Sequence, residues 1–189
     1  RQRQMCIRDR IRTETVDTTD PWYKGEEYSR YHSSGVNYYL TNGKITVKAD
    51  YEGKLSFYNQ RGELLTEEYV RNRNRINRYC VPLRIEAREL KCIPGSTDHR
   101  LYARFEAFDD ERIYGMGQYQ EKNLNKKGAS LELCHRNSQA SVPFMLSSRG
   151  YGFLWNNPAV GSVVFGANKT EWYAQSTKKL DYFITAGGT

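Results

Sequence analysis

Turn signals recur along this chain at intervals too short for helices. Asn42-Gly43, Glu52-Gly53, Arg61-Gly62, Pro94-Gly95-Ser96, Ser148-Arg149-Gly150 and Gly166-Ala167-Asn168 each separate two short runs with strand character. In Lys44-Ile45-Thr46-Val47-Lys48-Ala49 and again in Leu101-Tyr102-Ala103-Arg104-Phe105-Glu106-Ala107-Phe108, apolar residues alternate with polar or aromatic ones. A period of two puts one side of a run on a core and the other in solvent, as a half-buried strand requires. The 15 Tyr, 7 Phe and 3 Trp fit the same reading, because aromatic side chains suit a pleated surface. No segment shows a long amphipathic helix. Many short strands with turns about 8 to 12 residues apart predict an all-β, antiparallel β-sandwich.

The strands expected in order are 38–40, 44–49, 54–58, 63–67, 83–88, 101–108, 142–146, 151–155, 163–165, 170–174 and 180–184. Pro143 has no amide proton to give a ladder, so it is expected at a strand start or an edge. Residues 13–35 show no sustained period and read as irregular, and residues 36–189 as the β-sandwich domain. Residues 1–12 stand apart: five arginines against Asp9 put +4 of the net +7 there and leave +3 for the rest. That segment resembles translated adapter sequence and is read as a non-native or disordered tail.

Composition limits the function classes. Cys6, Cys80, Cys92 and Cys134 form no close-spaced pair, so reduced structural thiols are expected and a cytoplasmic location is favoured. No apolar run of about eighteen residues is present, so no membrane partner is expected. His32, His99 and His135 lie in no metal-ligand spacing, and no metal or other cofactor is called for. Alternating arginines in 71–78 would share one face of an extended segment and could meet phosphates, but neither a recognition helix nor stacking aromatics accompany them. A solvated face is the better reading there, and nucleic acid is not an expected partner.

The chain is organised around residues 111–144. Tyr114-Gly115-Met116-Gly117-Gln118 ends a hydrophobic strand on two glycines one residue apart, which lets the backbone turn sharply and approach a neighbour closely. An amide-rich stretch follows, with Gln118, Gln120, Asn123 and Asn125, and then Arg136, Asn137 and Gln139 before the apolar run at Val142. Such donors and acceptors suit hydroxyl-rich ligands, although a solvated surface loop has the same composition. Asp109, Asp110 and Glu111 are sequence neighbours that diverge on one turn, so they read as turn chemistry and not as a pair of carboxylates opposed across a ligand.

Five motifs in one order carry a resemblance: Tyr114-Gly115-Met116-Gly117-Gln118, His135-Arg136-Asn137, Val142-Pro143-Phe144, Ser147-Ser148-Arg149-Gly150-Tyr151-Gly152, and the closing Asp181-Tyr182-Phe183-Ile184-Thr185-Ala186-Gly187-Gly188-Thr189. Together they resemble the N-terminal β-sandwich of glycoside hydrolase family 31, which includes α-glucosidases and α-xylosidases. The resemblance implies a galactose-mutarotase-like sandwich and, as partner, a C-terminal (β/α)8 barrel of the same chain that carries both catalytic aspartates. No catalytic residue is then expected within these 189 residues. It also implies that a sandwich loop of the type Asn-Arg-Asp contacts an α-linked oligosaccharide substrate. Here His135-Arg136-Asn137 occupies that place, with Asn137 where Asp is frequent, and Arg136, Asn137, Gln139 and Gln118 are the candidate substrate-binding residues. The variant pattern looks more like the bacterial and fungal α-xylosidase-type members. The expected function is a pocket-completing domain of a retaining α-glycosidase, and the alternative is a stand-alone carbohydrate-binding module.

Overall fold

The computed structural model describes residues 29–34, 37–50, 53–70 and 86–187, the first six by backbone alone. Among them are fourteen strands and no helix: β1 (Ser29–Ser34), β2 (Asn37–Asn42), β3 (Ile45–Ala49), β4 (Leu55–Asn59), β5 (Leu64–Glu67), β6 (Arg88–Cys92), β7 (His99–Glu106), β8 (Ile113–Gln118), β9 (Ser130–Leu133), β10 (Ala140–Ser147), β11 (Tyr151–Trp155), β12 (Gly161–Phe165), β13 (Lys169–Thr177) and β14 (Tyr182–Ala186). The first five form a meander in the order β1-β2-β3-β4-β5. A five-stranded sheet runs β6-β7-β13-β12-β9, and a four-stranded sheet runs β14-β11-β10-β8. Every strand pairing is antiparallel.

Alternation in the sequence decides what faces inward. Leu101, Ala103 and Phe105 of β7 are buried, and so are Thr170, Trp172 and Ala174 of β13 and Val163 and Phe165 of β12. From the opposing sheet come Phe153 and Trp155 of β11 and Tyr182 and Ile184 of β14. The two faces meet through rings. Trp155 stacks on Trp172 at 5.8 Å between centroids, Trp172 on Phe153 at 4.9 Å, and Phe153 on Tyr182 at 5.3 Å. Phe105 meets Phe153 and Tyr182 edge-on at 5.1 and 5.4 Å. Offset stacks and T-shaped pairs at these separations add to the stabilisation from burying their area.

Polar contacts attach the meander to this core. Glu68 follows β5, bridges to Phe105 of β7, and is buried. Its carboxylate accepts from Arg88 Nε at 2.6 Å, Arg88 Nη2 at 2.8 Å and the Leu55 amide at 2.9 Å. Burial pushes the Glu68 carboxyl up from its ordinary value, and the Arg88 guanidinium works against that push. Arg149, in the turn between β10 and β11, donates to the carbonyls of Leu64 at 2.7 Å and Leu65 at 3.2 Å and lies over the Phe108 ring at 4.0 Å. Phe57 of β4 reaches Tyr182 edge-on at 6.5 Å.

Several expectations change. Part of the segment read as irregular forms β1 and lengthens the meander. The strand expected at 83–88 starts only at Arg88, after a turn at Glu86 and Ala87, and residues 83–85 lie outside the described part. Strand β9 was not expected, although Leu131-Glu132-Leu133 alternates and both leucines are buried. The arginines of 71–78 lie outside the described residues. Cys92 and Cys134 are free thiols, while Cys6 and Cys80 lie outside the description.

Because the two sheets depend on the ring stack, Trp172→Ala should lower unfolding free energy by about 3 to 5 kcal/mol. Denaturant titration of the domain is the measurement, and a loss below about 1 kcal/mol would mean that the stack does not hold the sheets together.

Candidate functional site

The organising stretch folds as a bulged strand pair. Ser141 opposes Gly117 and Met145 opposes Gly115, so Val142, Pro143 and Phe144 of β10 face the single residue Met116 of β8. Three successive residues on β8 take left-handed φ: Gly115 at 95°, Met116 at 72° and Gly117 at 88°. A Cβ at Gly117 would lie 2.3 Å from the Ala140 carbonyl oxygen, and one at Gly115 would lie 2.7 Å from that of Phe144. Both glycines are therefore required by φ and by contact. The bulge also places Pro143: it sits inside β10 and not at the strand start, at a point where β10 has no ladder partner, because the register with β11 begins only at Phe144 and that with β8 is broken between Ser141 and Met145. A ring without an amide proton is tolerated there because the ladder is already interrupted. The strand does not end on the glycines either, since β8 continues to Gln118.

Beyond the bulge, β9 and β10 are joined by a polar loop at 134–139. Its tip is closed by reciprocal backbone bonds, Arg136 N to Gln139 O at 3.2 Å and Gln139 N to Arg136 O at 3.0 Å, with Ser138 at φ 66°. Arg136 pairs with Glu132, and its Nε donates to Cys134 Sγ at 3.3 Å. Gln139 is half-buried and donates to the Cys134 carbonyl at 3.4 Å, while Asn137 is exposed. The Asn137 amide has no hydrogen-bond partner among the described residues. Gln118 is exposed at the end of β8, directly across from Ala140. The four candidate residues thus share one end of the β8–β10 pair.

Tyr119 and Ser141, neither a candidate from sequence, anchor this loop together with His135. The Tyr119 hydroxyl donates to the Glu132 carbonyl at 2.8 Å and lies 2.8 Å from Ser141 Oγ. Burial pushes that phenol up, so it remains neutral. His135 Nδ1 accepts from the Ser141 amide at 3.4 Å. The signal for this anchoring was the alternation at 131–133, which marks the strand under the loop. The result is a short tip with one free amide on a fixed base.

The acidic triplet divides. Asp109 and Asp110 are exposed in a turn, as expected, and Asp110 lies 3.5 Å from Arg149 Nη1. Glu111 is a correction: it is buried, not turn-exposed, and accepts from Ser147 Oγ at 2.6 Å and from the Tyr151 hydroxyl at 2.8 Å. Burial, with the Glu111 charge beside it, pushes the Tyr151 hydroxyl up so that it stays a donor. Ser147 ends β10 opposite the loop, roughly 24 Å away at strand rise, so Glu111 lies apart from the candidate residues. Among the described residues, no group of three or more His, Cys, Asp or Glu side chains is placed to hold a metal.

Antiparallel sheets packed through an aromatic core, with a bulged pair presenting a polar loop, define a galactose-mutarotase-like β-sandwich. The chain belongs to the glycosyl hydrolase 31 N-terminal galactose mutarotase-like domain family, whose model matches residues 14–163. It is 49% identical over 157 residues to an uncharacterised family 31 glucosidase of Pseudescherichia vulneris, covering 78% of this chain and 30% of that protein. It is 35% identical over 158 residues to α-xylosidase A of Aspergillus niger, covering 78% of this chain and 20% of that enzyme. The crystal structure of a family 31 α-xylosidase from a soil metagenome, complexed with xylose, superimposes with a TM-score of 0.78 at 51% identity, over 85% of this chain and 25% of that one. The chain therefore spans less than a third of the length of each of these relatives.

At Gly117 an alanine must both hold φ at 88° and displace the Ala140 carbonyl or Val142 amide. Gly117→Ala should cost more than about 1 kcal/mol, and Arg136→Ala on the exposed tip should change stability by less than about 0.5 kcal/mol. Melting curves for both variants check this, and the reverse order would contradict the bulge account.

Proposed function

We propose that this chain is the N-terminal, pocket-completing domain of a retaining α-glycosidase, an α-xylosidase or α-glucosidase, that acts on α-linked oligosaccharides. The observation that carries the reading is the 51% identity, over 85% of this chain, to an α-xylosidase whose structure holds xylose. In this proposal residues 36–189 are the sandwich, residues 1–12 are a non-native or disordered tail, and a (β/α)8 barrel later in the parent chain supplies two carboxylates roughly 5 Å apart, the separation a retaining mechanism needs. A stand-alone binding module fits less well, because each relative named above carries this domain as a minor share of a longer protein.

The domain's own chemistry is recognition. Arg136 offers a charged fork, Asn137 an amide that both donates and accepts, and Gln139 and Gln118 two further amides, a set suited to sugar hydroxyls beyond the scissile bond. Asn137 in place of a carboxylate keeps an acceptor but removes the charge, so its hydrogen bonds to hydroxyls are weaker. The free Asn137 amide favours this role over that of a turn cap.

Two outcomes are expected. Purified parent enzyme releases nitrophenol from aryl α-xylosides or α-glucosides, and residues 1–189 alone release none; hydrolysis by 1–189 would remove the reading. In the parent, Asn137→Ala should lower kcat/KM on disaccharides by about three- to tenfold, the value of one neutral hydrogen bond, with Tm unchanged. Unchanged kinetics with a lowered Tm would assign Asn137 to turn stability instead.

A further inference from the structure

Glu132, Cys134 and Arg136 occupy alternate positions along the end of β9 and the loop that follows it, and an extended run brings alternate side chains to one side. The three side chains meet. The Arg136 guanidinium donates through Nε to Cys134 Sγ at 3.3 Å and pairs through Nη2 with Glu132 Oε2. Cys134 Sγ lies 3.8 Å from the same carboxylate oxygen, which closes a triangle. Its base is fixed from the backbone side, because the Tyr119 hydroxyl donates to the Glu132 carbonyl at 2.8 Å.

These contacts use one edge of the guanidinium. Its five N–H groups form a rigid planar fork, in which Nε–H and one hydrogen of Nη2 make the side, and Nη1 with the other hydrogen of Nη2 makes the end. Sulfur and carboxylate take the side, and Nη1 has no partner among the described residues. The Arg136 and Glu132 side chains are 61% and 60% exposed, so their pairing adds little to stability. What it supplies is direction. A long side chain at an exposed tip otherwise samples many rotamers, and ordering it only on binding costs affinity. The end of the fork presents two parallel N–H groups, which match two neighbouring oxygen acceptors, and the Glu132 charge beside it weakens the pull on an anion.

We infer that Cys134 and Glu132 are positioning residues, which hold the side of the Arg136 fork and turn its end toward adjacent hydroxyls of a neutral sugar. The inference rests on the proposal that the 134–139 loop meets an α-linked oligosaccharide, and it adds the residues that orient the contact and the class of sugar group it takes.

The test uses the full-length parent and measures Kd for an uncleavable, sulfur-linked α-xylosyl or α-glucosyl disaccharide. Cys134→Ala and Glu132→Gln should each raise Kd about threefold, within the range of one neutral hydrogen bond, with Tm within about 2 °C of wild type. Cys134→Ser keeps an acceptor for Nε and should bring Kd back to within about twofold of wild type. In an Arg136→Ala background neither change should raise Kd further, since both act through the guanidinium. Cys92→Ala removes the other free thiol and should leave Kd unchanged. Unchanged Kd in Cys134→Ala and Glu132→Gln while Arg136→Ala raises it, losses that persist in the Arg136→Ala background, or no recovery in Cys134→Ser would each overturn the inference. A parent that binds no disaccharide, or an Arg136→Ala parent that binds as wild type, would overturn it together with the role of the loop. Cleavage is scored separately on the unmodified parent: if it hydrolyses no α-glycoside yet binds the disaccharide with these variant effects, the glycosidase activity is wrong and the positioning stands.

Discussion

The ring stack between the two sheets is the constraint on which the rest of the structure depends. Trp155, Trp172, Phe153 and Tyr182 form a continuous series of stacked pairs, with Phe105 edge-on, and all five are buried. Strand pairing alone holds β11 in its sheet and β13 in another, and nothing in a hydrogen-bond ladder sets their separation. Large flat rings do so, since interiors pack at crystal-like density and tolerate few voids. With that spacing held, β10 lies beside β11 at a defined height, and β10 carries one side of the bulge and the base of the loop.

The bulge connects packing to the position of the candidate loop. Opposing three residues of β10 to Met116 alone places left-handed backbone at Gly115, Met116 and Gly117. Met116 itself is fully buried, so the strain is held by the core beneath it. The strand then leaves the bulge with Ser141 turned inward to Tyr119 and Ala140 at the base of the loop. Backbone geometry built into the sheet, rather than loop length, fixes where Arg136 and Asn137 stand.

Much of this was legible in the sequence, and for identifiable reasons. The meander followed from alternation at 44–49 and the turn at Asn42-Gly43, and the hairpin of β10 and β11 from the turn at Ser148-Arg149-Gly150, because both signals are local. The family followed from five ordered motifs. Strand β1 was not legible, since a strand that among the described residues bonds β2 alone, at a sheet edge, needs no periodic pattern of its own. Pro143 inside a strand could not be read because it depends on the register shift opposite Met116, a property of the pair. Glu111 was misjudged for the same reason: its partners Ser147 and Tyr151 are more than thirty residues away and meet it only in the folded sheet. Arg136, Asn137 and Gln139 lie on the polar segment between β9 and β10 and Gln118 ends β8, while the tie from Tyr119 to Glu132 and Ser141 that holds that segment joins separate elements and leaves no local trace.

The central claim is that the sandwich brings its 134–139 loop to a sugar held mainly by another domain. A crystal structure of the full-length parent with an uncleaved α-xylosyl or α-glucosyl disaccharide tests it most directly. The account predicts Arg136 or Asn137 within hydrogen-bond distance of the sugar beyond the scissile bond. A bound disaccharide with the loop turned to solvent and no contact from residues 136–139 would contradict it.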